Sequence, residues 1–109
     1  MKNILKELSI AMEEKFATDI LILDIRDVSS LGDHFVIATV KNENQLRALS
    51  ESVTEVLEKQ EILLKHAERS PSWVLLDFGV IIVHLFDQSS RDFYNIERLW
   101  ADAKEEVFE

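Results

Sequence analysis

No cysteine occurs in the sequence. That absence removes disulfides, thiolate metal sites and thiol nucleophiles together, and it fits a reducing compartment. Glycine is almost as scarce, with Gly32 and Gly79 the only two. Phosphate-cradling loops need several glycines so that backbone amides can approach the anion, so neither a P-loop nor a dinucleotide fingerprint can be assembled. Pro71 is the single proline, and no Pro/Gly linker or internal repeat divides the chain. Long apolar runs are missing too. The opening MKNILKELSIAMEEKF interleaves charges with apolar residues, unlike a signal peptide or a membrane span. The expected location is cytoplasmic, with no membrane partner.

Positive charge is in short supply. Twelve Lys and Arg stand against twenty-one Asp and Glu, for a net charge of −9. Phosphate-backbone binders gain affinity by releasing counterions to a basic footprint, so broad nucleic-acid binding is disfavoured. The charge suits a basic protein partner, and it suits plain solubility equally well. The 109 residues make one domain, 1–109, large enough for a single core. Its ordered part is expected over about 3–102, with a short acidic tail expected to fray.

Periodicity places the elements. Residues 3–16 read as a helix with Ile4, Leu5, Leu8, Ala11, Met12 and Phe16 on one face. Residues 19–25 are short, apolar and β-branched, which suits a strand buried on both faces. His34 to Val40 reads as a second strand. Asn42 followed by Gln45 forms a capping-box pattern, and a second helix is expected from there to about Lys59. Residues 62–65 suggest a short edge strand, and Pro71 marks a loop.

Two apolar runs, 73–78 and 80–86, flank Gly79 and predict a hairpin with Phe78-Gly79 as its loop. One face then carries Trp73, Leu75, Asp77, Val80, Ile82, His84 and Phe86. The other carries Val74, Leu76, Phe78, Ile81, Val83 and Leu85 and belongs in the core. Residues alone leave the first face open between a half-exposed recognition surface and a surface covered by helices. A last helix, capped by Ser89 or Ser90, is expected to place Phe93, Ile96, Leu99 and Trp100 on one apolar stripe.

Catalytic patterns are absent. There is no G-x-S-x-G and no H-E-x-x-H. Asp77, His84 and Asp87 are acceptable metal ligands by type, but Asp87 falls on the opposite hairpin face from the other two. Two-metal nucleotidyl transfer needs two acids on one strand face. Asp24 and Asp27 are wrong by one residue, and the strand from Trp73 offers only Asp77. No catalytic residue, cofactor or metal is expected.

The run Trp73-Val-Leu-Leu-Asp77-Phe-Gly79-Val-Ile-Ile-Val-His84-Leu-Phe86, followed by Ser90-Arg91, Tyr94, Glu97, Leu99 and Trp100, resembles the signature of the ribosomal silencing factor (RsfS/Iojap) family. Leu23-Asp24, Ser29-Ser30 and Asp33 also fall where that family carries similar residues, so the resemblance covers nearly the whole chain. Three positions depart from the pattern. Val80 stands where a second acid is usual, Ala67 where a glycine is common before the Trp loop, and Val40 where one follows the second strand. The last two suggest altered loop geometry.

The resemblance implies an α+β fold, a small mixed sheet with flanking helices, similar in topology to nucleotidyltransferases without their acids. It implies binding to the large ribosomal subunit through the ribosomal protein numbered fourteen, steric blocking of subunit joining under nutrient limitation, and a homodimer when free. The expected partner-binding residues are Trp73, Asp77, His84, Arg91 and Tyr94, with Leu99 and Trp100 expected to pack. Two other readings remain beside it: a dimerisation module without a ribosomal role, and a degenerate nucleotidyltransferase-fold enzyme.

Overall fold

The structure, a computed structural model, describes residues 1–108. Its elements run α1 (Lys2–Glu14), β1 (Thr18–Asp24), β2 (His34–Val40), α2 (Glu43–Lys59), β3 (His66–Arg69), β4 (Trp73–Asp77), β5 (Ile81–Asp87), α3 (Gln88–Tyr94), a 3-10 turn (Ile96–Trp100) and β6 (Lys104–Glu105). The strands form one mixed sheet in the order β3-β4-β5-β2-β1-β6. Only β2 and β5 pair in parallel; the other neighbours are antiparallel. This is the α+β architecture with a small mixed sheet that the family resemblance implied. β2 lies between β1 and β5 and is buried along its whole length, which is why its seven residues are nearly all apolar.

The two faces of the sheet are covered unequally. α1 and α2 lay Leu5, Leu8, Met12, Leu46, Leu49, Val53 and Leu57 over Ile22, Val36, Ala38, Val74, Leu76, Val83 and Leu85. The opposite face holds a smaller cluster of Leu23, Ile25, Phe35, Ile37, Ile82, Phe86 and Ile96, roofed only by the segment after β5. α2 starts where the capping pattern put it. The Asn42 side chain accepts from the Gln45 N–H at 2.8 Å, and Gln45 Oε1 accepts from the Lys41 N–H at 2.7 Å.

Several local expectations are corrected. Residues 62–65 are not a strand; the edge strand starts at His66. The hairpin loop is Gly79-Val80, because Gly79 takes φ +86° and the first position of such a loop accepts little else. Trp73 therefore pairs with Phe86, Leu75 with His84 and Asp77 with Ile82. Moving the loop by one residue moves every partner by two, so the predicted face of each strand residue survives.

α3 begins earlier than expected. Asp87, rather than Ser89 or Ser90, is the cap and accepts from the Ser90 N–H at 2.8 Å. The helix then stops at Asn95, whose left-handed φ of +46° an Asn side chain tolerates. The single apolar stripe is thereby broken. Ile96 is buried and Trp100 packs beside it, while Phe93 is 81 % and Leu99 75 % exposed. The acidic tail does not simply fray. β6 pairs Leu23 with Glu105 and Asp24 with Lys104 on the free edge of β1, and Phe108 reaches the helix-side core.

Both long helices end in the same way. After α1, the Ala17 N–H donates to the Met12 carbonyl and Phe16 N–H to Glu13; after α2, Ile62 N–H donates to Leu57 and Glu61 N–H to Glu58. This double bond pattern needs a left-handed residue, and Phe16 (φ +65°) and Glu61 (φ +62°) occupy it where glycine is preferred. Phe16 is consequently 78 % exposed and not on the apolar stripe. Val40, by contrast, ends β2 buried and is not left-handed, so the glycine of the family pattern is not needed there. Glu61→Gly is expected to stabilise the fold by about 0.5–1 kcal/mol. Val40→Gly is expected to destabilise it by about 2 kcal/mol or more. Urea unfolding of the two variants, opposite in sign, checks this assignment.

Candidate functional site

The half-covered face carries a continuous aromatic row. Trp73 sits at the start of β4, and its ring centroid lies 4.5 Å from Tyr94, 5.6 Å from His84 and 5.7 Å from Phe86. Tyr94 meets Phe93 edge-on at 5.0 Å. From the other end, His84 packs at a tilt on Phe35 at 4.8 Å, and Phe35 meets Trp100 at 5.4 Å. Strand alternation and register produce the inner part of the row, since Trp73, Leu75, His84 and Phe86 share one face. Tyr94 and Phe93, just before the left-handed turn at Asn95, form the outer part and stay exposed; Leu99, after the turn, is exposed as well. Tyr94 is 54 % exposed. A groove lined by Glu68, Arg69, Ser70, Trp73 and Leu75 runs beside it at the β3–β4 edge.

The five expected site residues divide into two groups. Trp73, His84 and Tyr94 come together in the row. Asp77 and Arg91 have internal roles. Asp77 Oδ1 accepts from the Gly79 N–H at 2.8 Å and so braces the hairpin turn. Arg91 was expected to offer directional contacts to a partner, but it is only 8 % exposed. Its Nε and Nη2 pair with Glu97 at 2.9 and 3.1 Å, and Nη1 donates to the Asp19 carbonyl at 2.6 Å and Thr39 Oγ1 at 2.8 Å. A planar guanidinium with fixed donors suits such a many-sided brace. Phe93 and Leu99 are exposed, where spacing alone assigned both to packing. Asn95, a residue suited to a left-handed turn, is the one signal in the sequence that pointed to the break.

Val80, at the position of the missing acid, lies in the hairpin loop. Its carbonyl accepts from the Asp33 and His34 N–H groups at 2.9 and 3.0 Å, a role independent of its side chain. Asp87 caps α3 and does not join Asp77 and His84.

Charge on His84 is suppressed. The Trp73 indole N–H donates to His84 Nδ1 at 2.9 Å. An indole can only donate, so Nδ1 holds a lone pair and the proton of the neutral ring is on Nε2. Burial pushes the imidazole down from 6.5 to about 4. The unfolded chain therefore takes up a proton near pH 6.5 that the folded chain refuses until about pH 4. The associated stability is present above pH 6.5 and is lost as pH falls through that window. Between pH 7 and pH 5 the loss is about 2 kcal/mol. His84→Gln keeps an acceptor for Trp73 without titrating, so its unfolding free energy is expected to fall by about 2 kcal/mol less over the same interval. Equal slopes in urea titrations of the two proteins would contradict a neutral, half-buried His84.

Comparison with known proteins follows this geometry closely. A crystal structure of a Chromobacterium violaceum protein superposes with a TM-score of 0.86 at 32 % identity, covering 99 % of this chain and 91 % of that one. One from Bacillus halodurans gives 0.83 at 28 % identity, covering 99 % and 100 %. The ribosomal silencing factor RsfS of Bacillus subtilis is 36 % identical over 104 residues, 94 % of this chain and 88 % of that protein. The chloroplastic protein Iojap of Zea mays is 36 % identical over 94 residues, 85 % of this chain and 41 % of its own length. The family model described as "Ribosomal silencing factor during starvation" matches residues 1–109. With the hairpin, the helix after it and the whole sheet accounted for in one match, the chain belongs to the ribosomal silencing factor family.

Proposed function

We propose that this chain binds the large ribosomal subunit through its aromatic row and blocks association with the small subunit, lowering translation when nutrients are limiting. The observation that carries the reading is the row itself: Phe93 and Tyr94 stand exposed at its outer end, over a sheet face that no helix pair covers, and Leu99 is exposed on the 3-10 turn that follows. Aromatic side chains anchored on one edge and free on the other are the usual centres of binding energy. The partner at that site is the ribosomal protein numbered fourteen on the intersubunit face. A net charge of −9 favours approach to a basic protein and disfavours docking onto rRNA phosphates. Blocking an interface requires residence and bulk, and the protein performs it in the cytoplasm without a catalytic step. A standard contact would bury about 1,600 Å² in total. When free, the chain shields the same apolar side chains by pairing with a second copy.

Trp73 and Tyr94 supply the anchoring area, and the groove beside Trp73 receives a partner side chain. Asp77 and Arg91 support them, one by holding the hairpin turn and the other by holding α3 against the sheet. His84 positions the indole and stays uncharged, so the surface remains apolar at neutral pH.

The test is co-sedimentation with separated large and small subunits, followed by a subunit-joining assay. Binding to the large subunit alone with joining suppressed is expected. Tyr94→Ala and Leu99→Ser should each weaken that binding by about tenfold, or roughly 1.4 kcal/mol. Ile10→Ser, at an exposed position on α1, should leave it unchanged. Association with neither subunit, or equal loss in all three variants, contradicts the reading.

A further inference from the structure

A second group of side chains stands away from the aromatic row. Asp24 closes β1, His34 opens β2 and Glu106 follows β6, and one ligating atom from each lies within 4.8 Å of the other two. Their convergence is built by the sheet. Asp24 and His34 are direct partners across the β1–β2 ladder, so their side chains leave on the same side. Asp24 also pairs with Lys104, and alternation brings Glu106 back to that side two residues later. The Glu106 N–H donates to the Ile22 carbonyl at 2.8 Å and holds it there.

His34 gives the site a buried nitrogen donor. It is 3 % exposed, yet its Nδ1 has no hydrogen-bond partner among the described residues. Its Nε2 lies 3.7 Å from Glu106 Oε1, outside hydrogen-bonding range. Nε2 is the nitrogen turned toward Glu106, without a direct bond to it, whereas Nδ1 diverges across the ring and would not be partnered by the same ion. Two ligands of a tetrahedral zinc ion, each about 2.0–2.1 Å from the metal, stand about 3.4 Å apart. The observed spacing is close to that and too long for a direct bond.

We propose that Asp24, His34 and Glu106 form a binding site for a divalent transition-metal ion of the zinc class. One imidazole nitrogen and two carboxylate oxygens make a mixed donor set that suits such an ion better than calcium or magnesium, which prefer all-oxygen shells. A solvent molecule completes the fourth position. Arg26 is the built-in competitor. Its Nε and Nη2 hold both Asp24 carboxylate oxygens at 3.0 and 2.6 Å, and its side chain is 59 % exposed, so it is free to swing aside. Metal uptake exchanges this ion pair for coordination. It also ties the two-residue strand β6 to β1 and β2, turning a short edge pairing into a staple. The site is independent of the ribosomal reading.

Zinc calorimetry and cobalt absorption spectroscopy on the full chain carrying His66→Ala, which removes an exposed competing imidazole, test the proposal. The expected result is one equivalent of either metal, a visible cobalt band, and a rise in Tm. Glu106→Gln and His34→Leu, each checked for folding by circular dichroism, should weaken uptake at least about tenfold. Arg26→Ala should tighten it by freeing Asp24. Absence of saturable uptake, or uptake that these three substitutions leave unchanged, overturns the site.

Discussion

The buried guanidinium of Arg91 holds α3, the start of β1, the end of β2 and the 3-10 turn in one arrangement. Four of its N–H donors are engaged, two by Glu97 and one each by the Asp19 carbonyl and Thr39. A charge this deep is tolerable only when paired and fully hydrogen-bonded, and removing one partner from such a network costs about 3–5 kcal/mol. The demand shapes the backbone around it. Asp19 takes a left-handed φ of +48°, and the β1–β2 register shifts between Thr18 and Leu21. A bulge of this kind re-aims a carbonyl, here towards Nη1. Glu97 can reach Arg91 only because the chain turns sharply at Asn95.

That turn decides what the sheet shows to solvent. Had α3 run on as one helix, its apolar side chains would have shared one stripe and closed over β4 and β5. Broken at Asn95, the segment lays Ile96 and Trp100 on the sheet and leaves Phe93, Tyr94 and Leu99 outside. The opposite face lies under α1 and α2, with a cavity of about 300 Å³ between α2 and the β3–β4 edge. The exposed aromatic row is thus a consequence of packing: one side of the sheet is covered by two long helices, and the other is covered only as far as the Arg91 brace allows.

Much of this was legible in the residues. The helix over α2, its Asn42 cap, the strand from His34 to Val40 and the division of hairpin side chains between two faces follow from local periodicity. Local pattern suffices for them because each is set by its own apolar spacing. The resemblance of 73–100 to one family signature added the fold class and pointed to Trp73, His84 and Tyr94, which the structure brings together. What escaped depends on contacts distant in sequence. Phe93 and Leu99 are exposed because Arg91 meets Asp19 and Thr39, residues more than fifty positions away. The tail became β6 because β1 has a free edge. Phe16 left its stripe because α1 stops two residues earlier, at Glu14.

The face roofed by α3 and the 3-10 turn is the proposed contact surface. Hydroxyl-radical footprinting of the protein alone and bound to the large ribosomal subunit tests it directly. Oxidation of Phe93, Tyr94, Leu99 and Trp73 should fall on binding, while exposed Ile10, Phe16 and Leu63 keep their reactivity. Protection confined to Ile10, Phe16 and Leu63, with the aromatic row still oxidised, would contradict the account.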